Sequence, residues 1–144
     1  MKSLIKICPQ LRSDRQGHGE FGARRGSRTH NGIDYIAQPG DCVCSPVAGT
    51  LTKVGYPYSD DLNYRYVEIT DDQNLRHRLF YTLPLPPDKI GMTVEAGEPV
   101  GIVQDIAARY PAEDPKDAMI NHVHYEIKRL DGTYINPEKY LYEG

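Results

Sequence analysis

Long apolar runs are missing from this chain, and their absence excludes two classes at once. The opening Met1-Lys2-Ser3-Leu4-Ile5-Lys6-Ile7-Cys8 has Lys6 among its apolar residues and Pro9 directly after it. It therefore lacks the uninterrupted core of a secretory signal, and no other stretch approaches the roughly 20 apolar residues of a membrane span. A surplus of positive charge is missing too. With 17 basic against 20 acidic residues the net charge is −3, which argues against a general nucleic-acid binder. The local cluster Arg12, Arg15, Arg24, Arg25 and Arg28 reads as a solvated loop. Cysteine is scarce at three residues. Cys42 and Cys44 point to one face of an expected strand and should not bond to each other, whereas Cys8 could pair with either.

Uninterrupted helical pattern is the last absence. Thirteen glycines and eleven prolines are spread so evenly among the 144 residues that no long amphipathic helix fits, and the apolar residues recur mostly with period two, so the chain reads as one all-β domain spanning 1–144. Strands are expected at 3–8, 41–44, 50–54, 65–70 and 122–130, with a turn-fed strand ending near Val103 and a hairpin return at 133–135. Leu75, His77, Leu79, Tyr81 and Leu83 alternate with Arg76, Arg78, Phe80 and Thr82, which puts His77 and Leu83 on one inward face about 20 Å apart. Between two arginines, His77 is expected to be partly exposed. Residues 104–120 form a long polar loop, the kind that usually carries function. Asn136 as cap and Pro137 at the first helical position predict one short C-terminal helix through Tyr142.

Two short motifs supply chemistry. Arg28-Thr29-His30-Asn31-Gly32-Ile33-Asp34 places an imidazole and a carboxylate on a bend entering a strand, and Asn121-His122-Val123-His124 sends two imidazoles to one face of another. Together they can hold a zinc ion with three protein ligands and leave one histidine beside it. That is a catalytic inventory, since a purely structural zinc normally takes four protein ligands. His18, in its glycine-rich loop, is expected at the surface.

With these motifs the sequence resembles the M23 family of zinc metallopeptidases, of the lysostaphin and LytM kind, which cut peptide cross-links in bacterial peptidoglycan. The matching text is Phe21-Gly22-Ala23-Arg24, Arg28 to Tyr35, Val47-Ala48-Gly49-Thr50, Val94 to Gly101, His122-Val123-His124-Tyr125-Glu126 and Ile135-Asn136-Pro137 with Tyr140-Leu141, covering about residues 17–142. The chain is also similar to the vertebrate chemotactic protein LECT, type two, which has the same framework and is not known as a peptidase. The resemblance implies a mainly antiparallel sheet of the duplicated-hybrid-motif type and one zinc held by His30, Asp34 and His124, with His122 as the catalytic histidine. It implies a peptidoglycan stem peptide or cross-bridge as partner, and a groove walled by Tyr56, Tyr58, Tyr64 and Tyr66 on one side and loop 104–120 on the other.

One departure stands out. Family enzymes bring a second histidine from a Tyr-x-His motif, and here the strand reads Phe80-Tyr81-Thr82-Leu83-Pro84. Leu83, or Thr82 if Phe80 stands for the tyrosine, takes that place, and neither moves a proton. The rival expectation is therefore a zinc-stabilised binding module of the LECT type without useful turnover. A biotinyl or lipoyl carrier, suggested by Val94–Val103, lacks its lysine, because Lys89 precedes the glycine instead of sitting in a hairpin tip. The expected protein is a monomer that binds neither membrane nor nucleic acid and acts at the bacterial wall or periplasm. Three routes are open: synthesis in a cytoplasm without a visible export signal, a mature form already processed, or delivery by another system such as a phage or a secretion system.

Overall fold

In the computed structural model the described residues are 13–14, 17–18, 21–22, 24–25, 28–85, 89–138 and 140. Two short antiparallel pairs come first, β1 (Ser13–Asp14) with β2 (Gly17–His18), and β3 (Arg24–Arg25) with β4 (Arg28–Thr29). The rest of the described chain is β5 (Gly32–Ile36), β6 (Cys42–Cys44), β7 (Gly49–Gly55), β8 (Tyr66–Thr70), β9 (Arg76–Phe80), β10 (Thr82–Pro84), β11 (Thr93–Val94), β12 (Pro99–Val103), β13 (His122–Lys128) and β14 (Tyr134–Ile135). Loop 104–120 contains two 3-10 turns, Ile106–Arg109 and Pro115–Asp117, each opened by an aspartate side chain, Asp105 or Asp114, that accepts a backbone N–H. Among the described residues no helix is long and apolar enough to cross a membrane.

The fold is all-β and its pairings are antiparallel. Seven strands make the large sheet in the order β11-β7-β8-β9-β13, and the far edge of β13 is shared between β5 and β14. A smaller sheet has the order β10-β12-β6. Period two sorts the large sheet into faces. Ile33, Tyr35, Val67, Ile69, Leu79, Val123, Tyr125 and Ile127 project to one side and join Val43, Val100 and Val103 of the small sheet in one continuous core. Asp34, Tyr66, Glu68, Arg78, Phe80, His122, His124 and Glu126 alternate with them and take the opposite side.

Gly32 is required where β5 meets β13. It pairs with Glu126, and a Cβ there would overlap the Tyr125 carbonyl, so the bend between His30 and Asp34 accepts no side chain at this point.

Two expectations are corrected. The alternation from Leu75 does not run on to Leu83, because Tyr81 adopts φ 64° and the chain leaves the large sheet for the small one. The inward positions become Thr82 and Pro84, while Leu83 turns outward and is 48% exposed. His77 is fully buried, not partly exposed; its flanking arginines lie on the other face, where Arg78 pairs with Glu68. The strand expected at 3–8 lies outside the described residues, as does the end of the C-terminal helix. Asn136 does cap Glu138 N–H at 3.0 Å and Tyr140 N–H reaches the Pro137 carbonyl at 2.9 Å. Cys8, the candidate partner of Cys42 or Cys44, is likewise outside the described residues.

Candidate metal centre

The centre lies on the face of the large sheet away from the core. Registry builds it: His124 of β13 sits directly opposite Asp34 of β5 on one side and Phe80 of β9 on the other. His30 precedes β5, and its carbonyl accepts the Gly22 N–H at 2.9 Å. The structure thus brings together all four motif residues, which are separated by about ninety positions in sequence.

Three donor atoms converge on one point. His30 Nε2 and His124 Nδ1 are 2.9 Å apart, His124 Nδ1 is 2.9 Å from Asp34 Oδ1, and His30 Nε2 is 3.1 Å from the same oxygen. His30, Asp34 and His124 form a group able to hold a metal ion. Its electrostatics favour a cation. Burial opposes charge on both Asp34 and His124, yet hydrogen bonds and charge between them outweigh it. Asp34 is held well below the usual carboxylate range by His124 and His30, and His124 is raised to about 9 by Asp34 and Glu126.

His122 stands apart from this triangle. Its Nδ1 is 2.7 Å from the Ile120 carbonyl, which can only accept, so Nδ1 carries a proton, and in the neutral ring the lone pair is the one on Nε2. That nitrogen lies 3.7 Å from Asp34 Oδ2. The Tyr81 ring meets the His122 ring edge-on at 5.4 Å, and Phe80 meets His124 at 5.1 Å. The residues of the strand that touch the site are therefore Phe80 and Tyr81, not Leu83.

The tyrosines divide. Tyr66 is buried and stacks on Phe80 at 4.7 Å, and Tyr56 carries the Arg65 guanidinium at 4.4 Å. Tyr58 and Tyr64 pack around Tyr81 at 6.3 and 6.5 Å. The two loops expected as opposite walls are bonded to each other. Tyr58 and Tyr110 hydroxyls are 2.8 Å apart, Tyr64 donates to the Asp105 carbonyl at 2.7 Å, and Arg109 pairs with Asp60 and Asp61. Here they make one continuous aromatic wall beside His122. His77 lies on the core face with Tyr125 and takes no part in the centre. His18 falls in β2.

Sequence reasoning missed Glu126, whose Oε1 accepts from His124 Nε2 at 3.0 Å. The signal was available: period two puts Glu126 on the face of His122 and His124.

The profile of Peptidase family M23 matches residues 28–137. Leukocyte cell-derived chemotaxin-2 of Mus musculus is 25% identical over 122 residues, spanning 85% of this chain and 72% of that protein. Among solved structures, the catalytic domain of the prophage-encoded M23 protein EnpA from Enterococcus faecalis is 26% identical with a TM-score of 0.62, covering 93% of this chain and 92% of that one. The catalytic domain of the antimicrobial peptidase lysostaphin from Staphylococcus simulans has 17% identity and a TM-score of 0.59, with 87% and 88% covered; that likeness concerns the fold alone.

Proposed function

Since the chain belongs to peptidase family M23, we propose that it is a zinc metallopeptidase hydrolysing peptide cross-links of bacterial peptidoglycan. The observation that carries this reading is the convergence of His30, Asp34 and His124 on one point, with His122 beside it and outside the ligand set. Two imidazole nitrogens and one carboxylate oxygen are donors zinc accepts at about 2.0–2.2 Å, and tetrahedral geometry then spaces them about 3.3 Å apart. The triangle observed at 2.9–3.1 Å needs to open by only a few tenths of an ångström.

When bound, zinc supplies Lewis-acid polarisation of the scissile carbonyl and brings the pKa of water toward about 7. The chain's own residues supply the rest. With Nδ1–H tied to Ile120, Nε2 is the nitrogen of His122 that would take the proton of the attacking water and return it to the leaving amine. The Tyr81 ring fixes the plane of that imidazole from the side. Tyr58, Tyr64 and Tyr110 offer flat apolar faces with hydroxyl rims, which suit an extended peptide.

The test is to incubate purified protein with peptidoglycan and assay new amino termini, with and without a chelator. New termini that disappear with chelator are the expected result, and their absence in a zinc-loaded sample overturns the peptidase reading. One observation favours a second reading. Neither Leu83 nor Thr82 carries a group that moves protons, and a relative of 25% identity is a chemotaxin, so a zinc-stabilised binding module is what remains if zinc is held and nothing is cut.

A further inference from the structure

The side of the large sheet that bears the metal centre also bears a row of buried charge that the proposed reaction does not use. Glu126 of β13 pairs in register with Arg78 of β9, and Arg78 with Glu68 of β8. Arg78 Nε donates to Glu68 Oε2 at 2.7 Å, and its Nη1 lies 3.6 Å from Glu126 Oε2. The Thr52 hydroxyl donates to Glu68 Oε1 at 2.8 Å. Glu68 and Glu126 are 5% and 6% exposed, so water does little to hold them. At the other end of the row, Glu126 Oε1 meets His124 Nε2 at 3.0 Å.

From this geometry we infer that Glu126, braced by Arg78 and Glu68, is a positioning residue that fixes His124 with Nδ1 toward the metal and thereby sets the affinity of the centre. The inference rests on the metal-binding reading given above. A carboxylate accepts only, so Glu126 holds a proton on His124 Nε2 whether or not Nδ1 also donates to Asp34, and when metal takes the place of that second proton the Nδ1 lone pair joins the triangle with His30 and Asp34. Without that acceptor two states that cannot bind become available. One is the tautomer with the proton on Nδ1, and the other is the ring turned over, with Cδ2 where Nδ1 stood. Arg78 matters because it keeps the second oxygen of Glu126 from swinging away. Partners of this kind are worth about 10- to 100-fold in metal affinity.

Three substitutions separate position from charge: Glu126→Ala removes the acceptor, Glu126→Gln keeps an oxygen in place without the charge, and Glu126→Asp keeps the charge but draws the oxygen back. Zinc affinity is measured by competition with a chromophoric chelator, and the His124 Nε2–H proton is followed by NMR in the zinc-loaded protein. Glu126→Ala and Glu126→Asp should lose about 10- to 100-fold in affinity and their protected Nε2–H signal, while Glu126→Gln retains both. Should Glu126→Ala fail to fold, the Gln and Asp pair decides alone. Equal affinity in all variants, or Gln as weak as Asp or Ala, overturns the inference. A wild type that binds no zinc, or binding that survives Asp34→Ala, overturns the metal reading instead.

Discussion

Replacing His77 by phenylalanine tests the buried core-face network. His77 Nε2 faces Asp71 Oδ2 at 2.9 Å and therefore donates, so Nδ1 accepts the Tyr125 hydroxyl at 2.7 Å. Phenylalanine keeps a ring in the space and removes both bonds. Tyr125 is fully buried, and its stranded O–H costs about 1–3 kcal/mol, whereas Asp71 is partly exposed and loses only about 0.5–1.5 kcal/mol by turning to water. The sum, about 1.5–4.5 kcal/mol, corresponds to a melting temperature lower by about 5–15 °C for a chain of this size. Denaturant unfolding of metal-free wild type, His77→Phe, Tyr125→Phe and the double variant measures it. Tyr125→Phe should destabilise the wild type yet return about 1–2 kcal/mol to His77→Phe, because the stranded donor is gone. Strictly additive effects would refute the reasoning. Zinc affinity should stay unchanged in all four, since these side chains lie on the face away from His124.

Acid should narrow the gap between wild type and His77→Phe. Burial lowers the His77 pKa despite the opposing pull of Asp71, and Asp71 is lowered by its bonds to His77, Leu75 and Gln73 even though burial raises it. Both depressed groups contribute stability that is present above their unfolded values, about 6.5 and 3.9, and lost as pH falls through the folded ones. Unfolding curves from pH 7.5 to 4 check this, and a constant gap counts against it. At the metal centre, His30→Ala, Asp34→Ala and His124→Ala should each lose zinc by metal analysis. His122→Ala should keep a full equivalent while cleavage falls about 10²- to 10⁴-fold; loss of zinc in that variant would make His122 a fourth ligand. Leu83→His should change stability by less than about 0.5 kcal/mol and give no gain in cleavage of peptidoglycan, because position 83 faces outward.

What was legible in the sequence was whatever depends on period two within one strand. His122, His124 and the apolar Val123, Tyr125 and Ile127 sort to opposite faces in the structure as alternation requires, and the pairing of His124 with Asp34 follows once β5 and β13 are neighbours. The reading failed where one residue resets the count. A tyrosine at φ 64° carries no mark in the sequence, yet it ends β9, starts β10 and exchanges the faces of Thr82 and Leu83. His77 was placed on the correct face but expected to reach solvent, because two arginines suggested an open strand. Those arginines are accommodated on the other face, where Glu68 and Glu126 flank Arg78, and that arrangement arises from strands far apart in sequence.

The sharing of one edge of β13 between β5 and β14 bears on how metal would leave. β13 is bonded along both edges, by β9 on one side and by β5 and then β14 on the other, and β5 is locked to it through five consecutive pairs. His124 and Asp34 therefore sit in the part of the molecule whose opening requires breaking ladders. His30 lies between β4 and β5, outside both strands, and its carbonyl accepts the Gly22 N–H. Release is expected to begin at His30 while Asp34 and His124 stay in their ladder, so Gly22→Pro, which deletes that N–H and cannot adopt the φ of 82° found there, should speed zinc transfer to a chelator.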